Sequence, residues 1–192
     1  VERSRGLGDV YKRQVIKSLI KSWVISLLNC YKNKATKPWS YSKMNIKNPS
    51  KLKEEIMRDE GVVYEIYKDH LGYPTFGIGH LVKETDPEYG MSVGAPITED
   101  RVNEVWAHDF FEHVEECGKL YPDLESYPDE VQRVLVNMTF NMGMTRLSKF
   151  KNFKAAIERN DWKEAAKEGR DSRWYNQVTN RAERLMKMLE EV

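Results

Sequence analysis

The stretch "EGVVYEIYKDHLGYPTFGIGH", Glu60 to His80, decides how this chain folds. Gly61 is placed to stop a helix, and "VVYEIYK" after it is rich in β-branched and aromatic residues. A turn through His70, Leu71 and Gly72 leads into a second extended run, "TFGIGHLV". The pattern predicts a small antiparallel hairpin that carries Glu60, Asp69 and Thr75 close together. Two carboxylates at a fixed spacing suit general acid/base chemistry. An ordinary surface hairpin shows the same residues by chance, so the rest of the chain has to decide.

Upstream, Leu52, Ile56 and Met57 mark one face of a helix that Ser50 is placed to cap, and Glu60 falls near the end of its apolar stripe. Downstream, residues 83–97 read as loop with one short strand. Thr98 caps a long helix in which Val102, Val105, Trp106, Phe110 and Val114 recur at helical intervals. After the Pro-rich "YPDLESYPDE", Val131, Val134, Leu135, Met138 and Met142 give a strongly apolar helix. Helices follow around Phe150 to Arg159 and Trp162 to Lys167, the latter capped by Asp161. A last one starts near Asn180, whose spacing to Glu183 is that of a capping box. The fold class is therefore α+β: a β lobe over about 61–97, a connecting helix over 98–117 and an all-helical lobe over 128–192.

Hydrophobic residues make up 40% of the 192, which places the chain among globular proteins. Its formal charge of +1 hides a division. Residues 1–47 hold 11 Lys/Arg against 2 Asp/Glu, whereas the rest holds 20 against 28. An acidic body argues against nucleic acid as a partner, because phosphate contacts need clustered Lys and Arg. Cys117 is the body's lone cysteine, so no internal disulfide is expected there. The histidines of "HDFFEH", His108 and His113, stand five apart and face different sides of a helix, so no metal site is read there.

Residues 1–47 are expected to lie outside the fold. "VERSRGLGDVYKRQ" resembles translated adapter sequence, and residues 15–30 have the spacing of a basic amphipathic helix, too short and too lysine-interrupted to span a bilayer. Membrane contact is expected only if that segment belongs to the protein, and Met44 reads as a natural start.

With these elements placed, the sequence resembles the T-even phage type of lysozyme, glycoside hydrolase family 24, over about residues 44–190. Glu60, Asp69 and Thr75 with "GIGH" carry the first match, "LVNMTFNMG" (Leu135 to Gly143) the second and "SRWYNQVTNRAER" (Ser172 to Arg184) the third. The resemblance implies a sheet lobe and a helical lobe joined by a long helix. It implies an endolysin that hydrolyses the β-1,4 bond between N-acetylmuramic acid and N-acetylglucosamine in bacterial peptidoglycan, with inversion and without a cofactor. The alternatives are a lytic transglycosylase and a non-catalytic wall-binding tail module. Such an enzyme is expected to act as a monomer, held in the host cytoplasm until lysis and then reaching the wall.

Carried over residue by residue, Glu60 is the general acid, Asp69 the base or electrostatic partner, and Thr75 the holder of the attacking water. An acid at a helix end beside apolar residues is expected to be desolvated and to keep its proton, while an acid on a turn stays ionised. Inversion requires about 6.5–9.5 Å between the two carboxyl groups. The resemblance further implies that Arg181 pairs with Glu60, Arg184 with Asp59, and His80 with Asp109 in a buried supporting pair. Leu81, Phe140, Phe153 and Glu168 fall at sugar-contacting positions; Phe153 stands where the family has a serine and Glu168 where it has an asparagine. Trp174 reads equally as core or as cleft.

Overall fold

The computed structural model describes residues 46–192, so the adapter-like opening and the amphipathic pattern at 15–30 lie outside the described residues. The described chain forms α1 (Pro49–Glu60), β1 (Val63–Lys68), β2 (Pro74–Gly77), β3 (His80–Leu81), α2 (Glu99–Leu120) and α3 (Asp129–Met142). It continues through α4 (Met144–Leu147), α5 (Lys151–Glu158), α6 (Trp162–Arg170), α7 (Arg173–Gln177) and α8 (Thr179–Glu190). This is the α+β, lysozyme-like order of elements that the sequence predicts. The described residues divide into two compact units, one formed by Glu60–Asp109 and one by 46–59 with Phe110–Val192.

In the first unit the expected two-stranded hairpin is a three-stranded antiparallel sheet, ordered β1-β2-β3. The run "TFGIGHLV" is cut in two because Gly77 (φ 64°) and Gly79 (φ 79°) take the left-handed region and reverse the chain between β2 and β3. The other edge of β1 is covered by 94–97: Ile66 N–H donates to Ala95 O at 3.0 Å, and Ile97 N–H to Tyr64 O at 2.8 Å. Pleating sends alternate side chains to opposite faces. Ile66, Phe76 and Ile78 are buried, together with Val102, Val105 and Trp106 from the first half of α2. A Cβ added to Gly77 would stand 3.2 Å from Val102, so β2 and α2 approach closely there. Thr98 caps α2 as expected, accepting from Arg101 N–H at 3.3 Å.

The second unit is helical. α3 runs buried along Val131, Val134, Leu135 and Met138, and α8 contributes Leu185, Met186 and Leu189. Gly169 of α6 leaves room for Met186, whose sulfur would lie 2.1 Å from an added Cβ. Asp161 caps α6 as expected, accepting from Glu164 N–H at 3.1 Å. Two other expected caps are displaced. Asn48, not Ser50, caps α1, accepting from Lys51 N–H at 3.3 Å, because Pro49 takes the first helical position. α8 starts two residues earlier than its capping-box pattern requires, after Val178, and Glu183 is drawn to Arg170 instead.

The fold also begins earlier than expected. Ile46 is buried, and Lys47 donates its N–H to Gln132 Oε1 at 2.8 Å and its ammonium to Tyr127 O at 2.7 Å. The charge of Lys47 groups it with the basic leading segment in sequence, while its backbone belongs to this unit. Gln132 is fully buried and also donates to the carbonyls of Leu124, Glu125 and Tyr127. It thereby fastens both the chain entry and the 3-10 turn Leu124–Ser126 to α3. Gln132→Ala should lower stability in urea by about 2–3 kcal/mol, the cost of stranding buried backbone groups. Asp161→Ala should cost about 1 kcal/mol in the same measurement.

Candidate active site

The site is built first from the turn that closes β1 on β2. Asp69 Oδ1 accepts from the N–H groups of Leu71 and Tyr73, both at 2.9 Å. The backbone closes the same turn, with Asp69 N–H donating to Tyr73 O and Gly72 N–H to Asp69 O, each at 3.0 Å. Gly72 takes φ 88°, which lets the chain fold back around the carboxylate. The amide of Tyr73, and then that of Leu71, hold the Asp69 carboxyl below its ordinary value, so it stays ionised.

Thr75 is buried on β2, opposite Tyr67 of β1 and opposite Leu81 of β3. Residues directly opposite in an antiparallel pair share a face, so Tyr67, Thr75 and Leu81 form one row across the sheet. The Thr75 hydroxyl donates to Tyr73 O at 3.1 Å, which leaves its oxygen lone pairs as the acceptors it can offer a ligand. Leu81 is exposed. Glu60, the last residue of α1, is exposed as well. This corrects the expectation of a desolvated acid: α1 ends at Glu60, where Gly61 takes φ 78°.

Phe76 and His80 lie on the opposite sheet face, with rings 5.0 Å apart. Buried His80 reaches Asp109 of α2 through Nδ1 at 2.6 Å, the expected pair, and also reaches Asp86 through Nε2 at 3.1 Å. The sequence reading missed Asp86. Its carboxylate also accepts from Lys83 N–H at 2.6 Å, and Arg101 lies 3.5 Å away, itself bound to both Glu88 oxygens at 2.9 Å. The signal was present in the acidic loop "KETDPE", but spacing alone does not aim a loop carboxylate at a histidine. Burial opposes the imidazolium, yet the hydrogen bonds and charges of Asp109 and Asp86 together raise the pKa of His80.

In the second unit, Asp59 is buried at 4% side-chain exposure and gathers Arg184, Arg181 Nε at 3.4 Å and Asn137 Nδ2 at 3.2 Å. The expected Asp59–Arg184 pair is present. Buried Arg181 donates from Nε to Asn137 Oδ1 at 2.8 Å. Asn137 was missed, although a polar residue inside the apolar run "LVNMTF" is a readable sign of a buried hydrogen-bonding role. Phe140 stacks on His113 with centroids 4.6 Å apart. Phe153 and Glu168 line one open hollow of about 880 Å³ with Phe150, Asn141 and Trp174. Phe153 is otherwise core, at 1% exposure. Trp174 is both core and lining: it is buried, and its indole donates to Asn141 Oδ1 at 2.7 Å.

The family model for phage lysozyme matches residues 57–189, from the end of α1 to the end of α8. The chain belongs to the phage lysozyme family. It is thus a glycoside hydrolase by family. A probable T4-type lysozyme of Dictyostelium discoideum is 30% identical over 162 aligned residues, covering 73% of this chain and 94% of that protein. The pre-baseplate central spike protein Gp5 of Enterobacteria phage T4 is 32% identical over 157, covering 72% of this chain but 27% of the spike protein. The peptidoglycan hydrolase gp36 of Pseudomonas phage phiKMV is 30% identical over 139, with 15% of it covered. The chain therefore spans a minor part of the two phage relatives. No helix among the described residues is long and apolar enough to cross a membrane.

The raised pKa of His80 sets the sign of a pH dependence for this lysozyme domain. The stabilisation from the charged imidazole is complete below its unfolded value of about 6.5 and is lost as pH rises through the higher folded value. Asp86 has a lowered value, so its share is lost only as pH falls below the ordinary carboxylate range. Asp109→Asn should cost about 3 kcal/mol near pH 6, and the gap to wild type should narrow as pH rises through the folded His80 value. Urea unfolding across pH checks both the size and the trend.

Proposed function

We propose that this domain is a muramidase that hydrolyses the β-1,4 bond between N-acetylmuramic acid and N-acetylglucosamine in bacterial peptidoglycan. Glu60 protonates the glycosidic oxygen, ionised Asp69 takes the proton of the attacking water, and Thr75 accepts a hydrogen bond from that water. The carrying observation is the Asp69 turn: two backbone amides keep the carboxylate charged and fixed, beside the strand that bears Thr75. Family membership supports the sugar-bond chemistry. Glu60 is exposed, and a saccharide lying over it displaces the water around its carboxyl. Arg181, tied to Asn137 and Asp59 at the end of α1, orients Glu60 in this reading. His80 and Asp109 support the sheet, and Leu81, Phe140, Phe153 and Glu168 contact the glycan or its peptides.

Water attacks from the face opposite the leaving group, so the product is a reducing end of inverted configuration. A lytic transglycosylase would have no use for a fixed, ionised Asp69. In the lead reading the enzyme is an endolysin that opens the host wall at lysis. The likeness to a T4 spike protein favours a second setting, in which the same chemistry serves a tail structure.

Glu60→Gln and Asp69→Asn should each lower the rate on purified sacculi at least about 100-fold, the usual worth of a general acid or base. Mass spectrometry should find reducing muramic acid ends; 1,6-anhydro ends would overturn hydrolysis. Release of reducing sugar by Glu60→Gln at the wild-type rate would remove the assignment altogether.

A further inference from the structure

Tyr67 has no role in the chemistry described so far. It stands on β1 opposite Thr75, and Leu81 stands on the far side of Thr75, so the phenol closes one end of the row that crosses this sheet face. Asp69 follows it by two residues at the head of the turn that the bond between Asp69 N–H and Tyr73 O closes. The ring is half-buried, and its hydroxyl makes no hydrogen bond among the described residues. The negative charges of both Glu60 and Asp69 reach that hydroxyl. Tyr64, on the same strand, meets a different field, that of Glu99, and is exposed.

A phenol that served packing alone would be replaced by phenylalanine without loss, since its oxygen satisfies nothing in the fold. Here the oxygen lies where both proposed reacting carboxylates are felt. Burial first, and then the two neighbouring anions, keep the group protonated, so it is a hydrogen-bond donor across the pH range of a wall hydrolase. The one donor of Thr75 is spent on Tyr73 O. A hydroxyl-rich and amide-rich ligand lying on this row therefore meets an acceptor at Thr75 and needs a donor beside it.

We propose that Tyr67 is a third functional side chain of the hydrolytic centre, its hydroxyl donating a hydrogen bond to the bound saccharide next to the Thr75 position. This assignment rests on the muramidase reading of Glu60 and Asp69. Three variants test it on purified sacculi: Tyr67→Phe, Tyr64→Phe and Glu60→Gln. Tyr67→Phe should melt like wild type, because the lost hydroxyl bonds no protein group. Its kcat/KM should fall about tenfold, the worth of one well-placed hydrogen bond, while Tyr64→Phe stays at the wild-type level. Titration of N-acetylglucosamine oligomers into Glu60→Gln with and without Tyr67→Phe should show weaker binding when the phenol is absent. With Glu60→Gln inactive, wild-type kcat/KM and oligomer binding in Tyr67→Phe would overturn the role of Tyr67 alone. Wild-type activity in Glu60→Gln would instead remove the muramidase reading, and this assignment with it.

Discussion

Pleating forces neighbouring side chains of a strand to opposite faces, and the first unit is organised around that constraint. Ile66, Phe76 and His80 go to the face that meets α2, where apolar burial and the imidazole–carboxylate contacts hold the sheet. Tyr67, Thr75 and Leu81 are left for the other face. A one-residue slip in register would exchange the two sets, turning His80 away from α2 and Thr75 towards it. Burying His80 between Asp86 and Asp109 thus has a consequence at the other face: it locks the register that presents the proposed chemistry. The Gly77 and Gly79 turns matter for the same reason, since they set where β3 begins and hence that Leu81 lands beside Thr75.

α1 is fixed in the second unit by charge as well as by packing. One turn before its end, Glu55 meets the buried guanidinium of Arg133, which Asp129 also holds at 2.9 Å. At the end, Asp59 gathers Arg181, Arg184 and Asn137. Burial raises the Glu55 pKa, and Arg133 opposes that shift. Buried ion pairs add little net stability compared with apolar packing, yet breaking one strands a charge at high cost. Their value here is geometric: two charged clusters four residues apart prevent the helix from sliding or rotating, and Glu60 follows the second of them directly.

Much of this was legible in the sequence because it depends on local rules. The helices over 99–120 and 129–142, the Thr98 and Asp161 caps, the hairpin turn and the Asp59–Arg184 and His80–Asp109 pairs follow from periodicity, capping chemistry and a family pattern. What escaped was decided by contacts distant in sequence. Lys47 looks like part of a basic tail until Gln132, 85 residues away, accepts its amide. Glu183 looks like a capping residue until Arg170 claims it. Asp86 looks like loop until His80 turns towards it. The split of β2 from β3 was locally encoded in Gly77 and Gly79, but a glycine's freedom does not announce which turn it makes.

The exposure of Glu60 bears on how such a site works. An acid permanently buried in an apolar pocket keeps its proton at a standing cost to the folded protein. An acid left in water at a helix end incurs no such cost, and its surroundings change only when a saccharide lies over it. In the proposed mechanism, desolvation is then drawn from binding energy and is realised only where a glycosidic oxygen is in place. Asp69 needs the opposite treatment. As the proposed base it must keep its charge before and during attack, and two backbone amides supply that stabilisation. In the proposed reading the two carboxylates therefore differ in what sets their surroundings: the fold for Asp69, the substrate for Glu60.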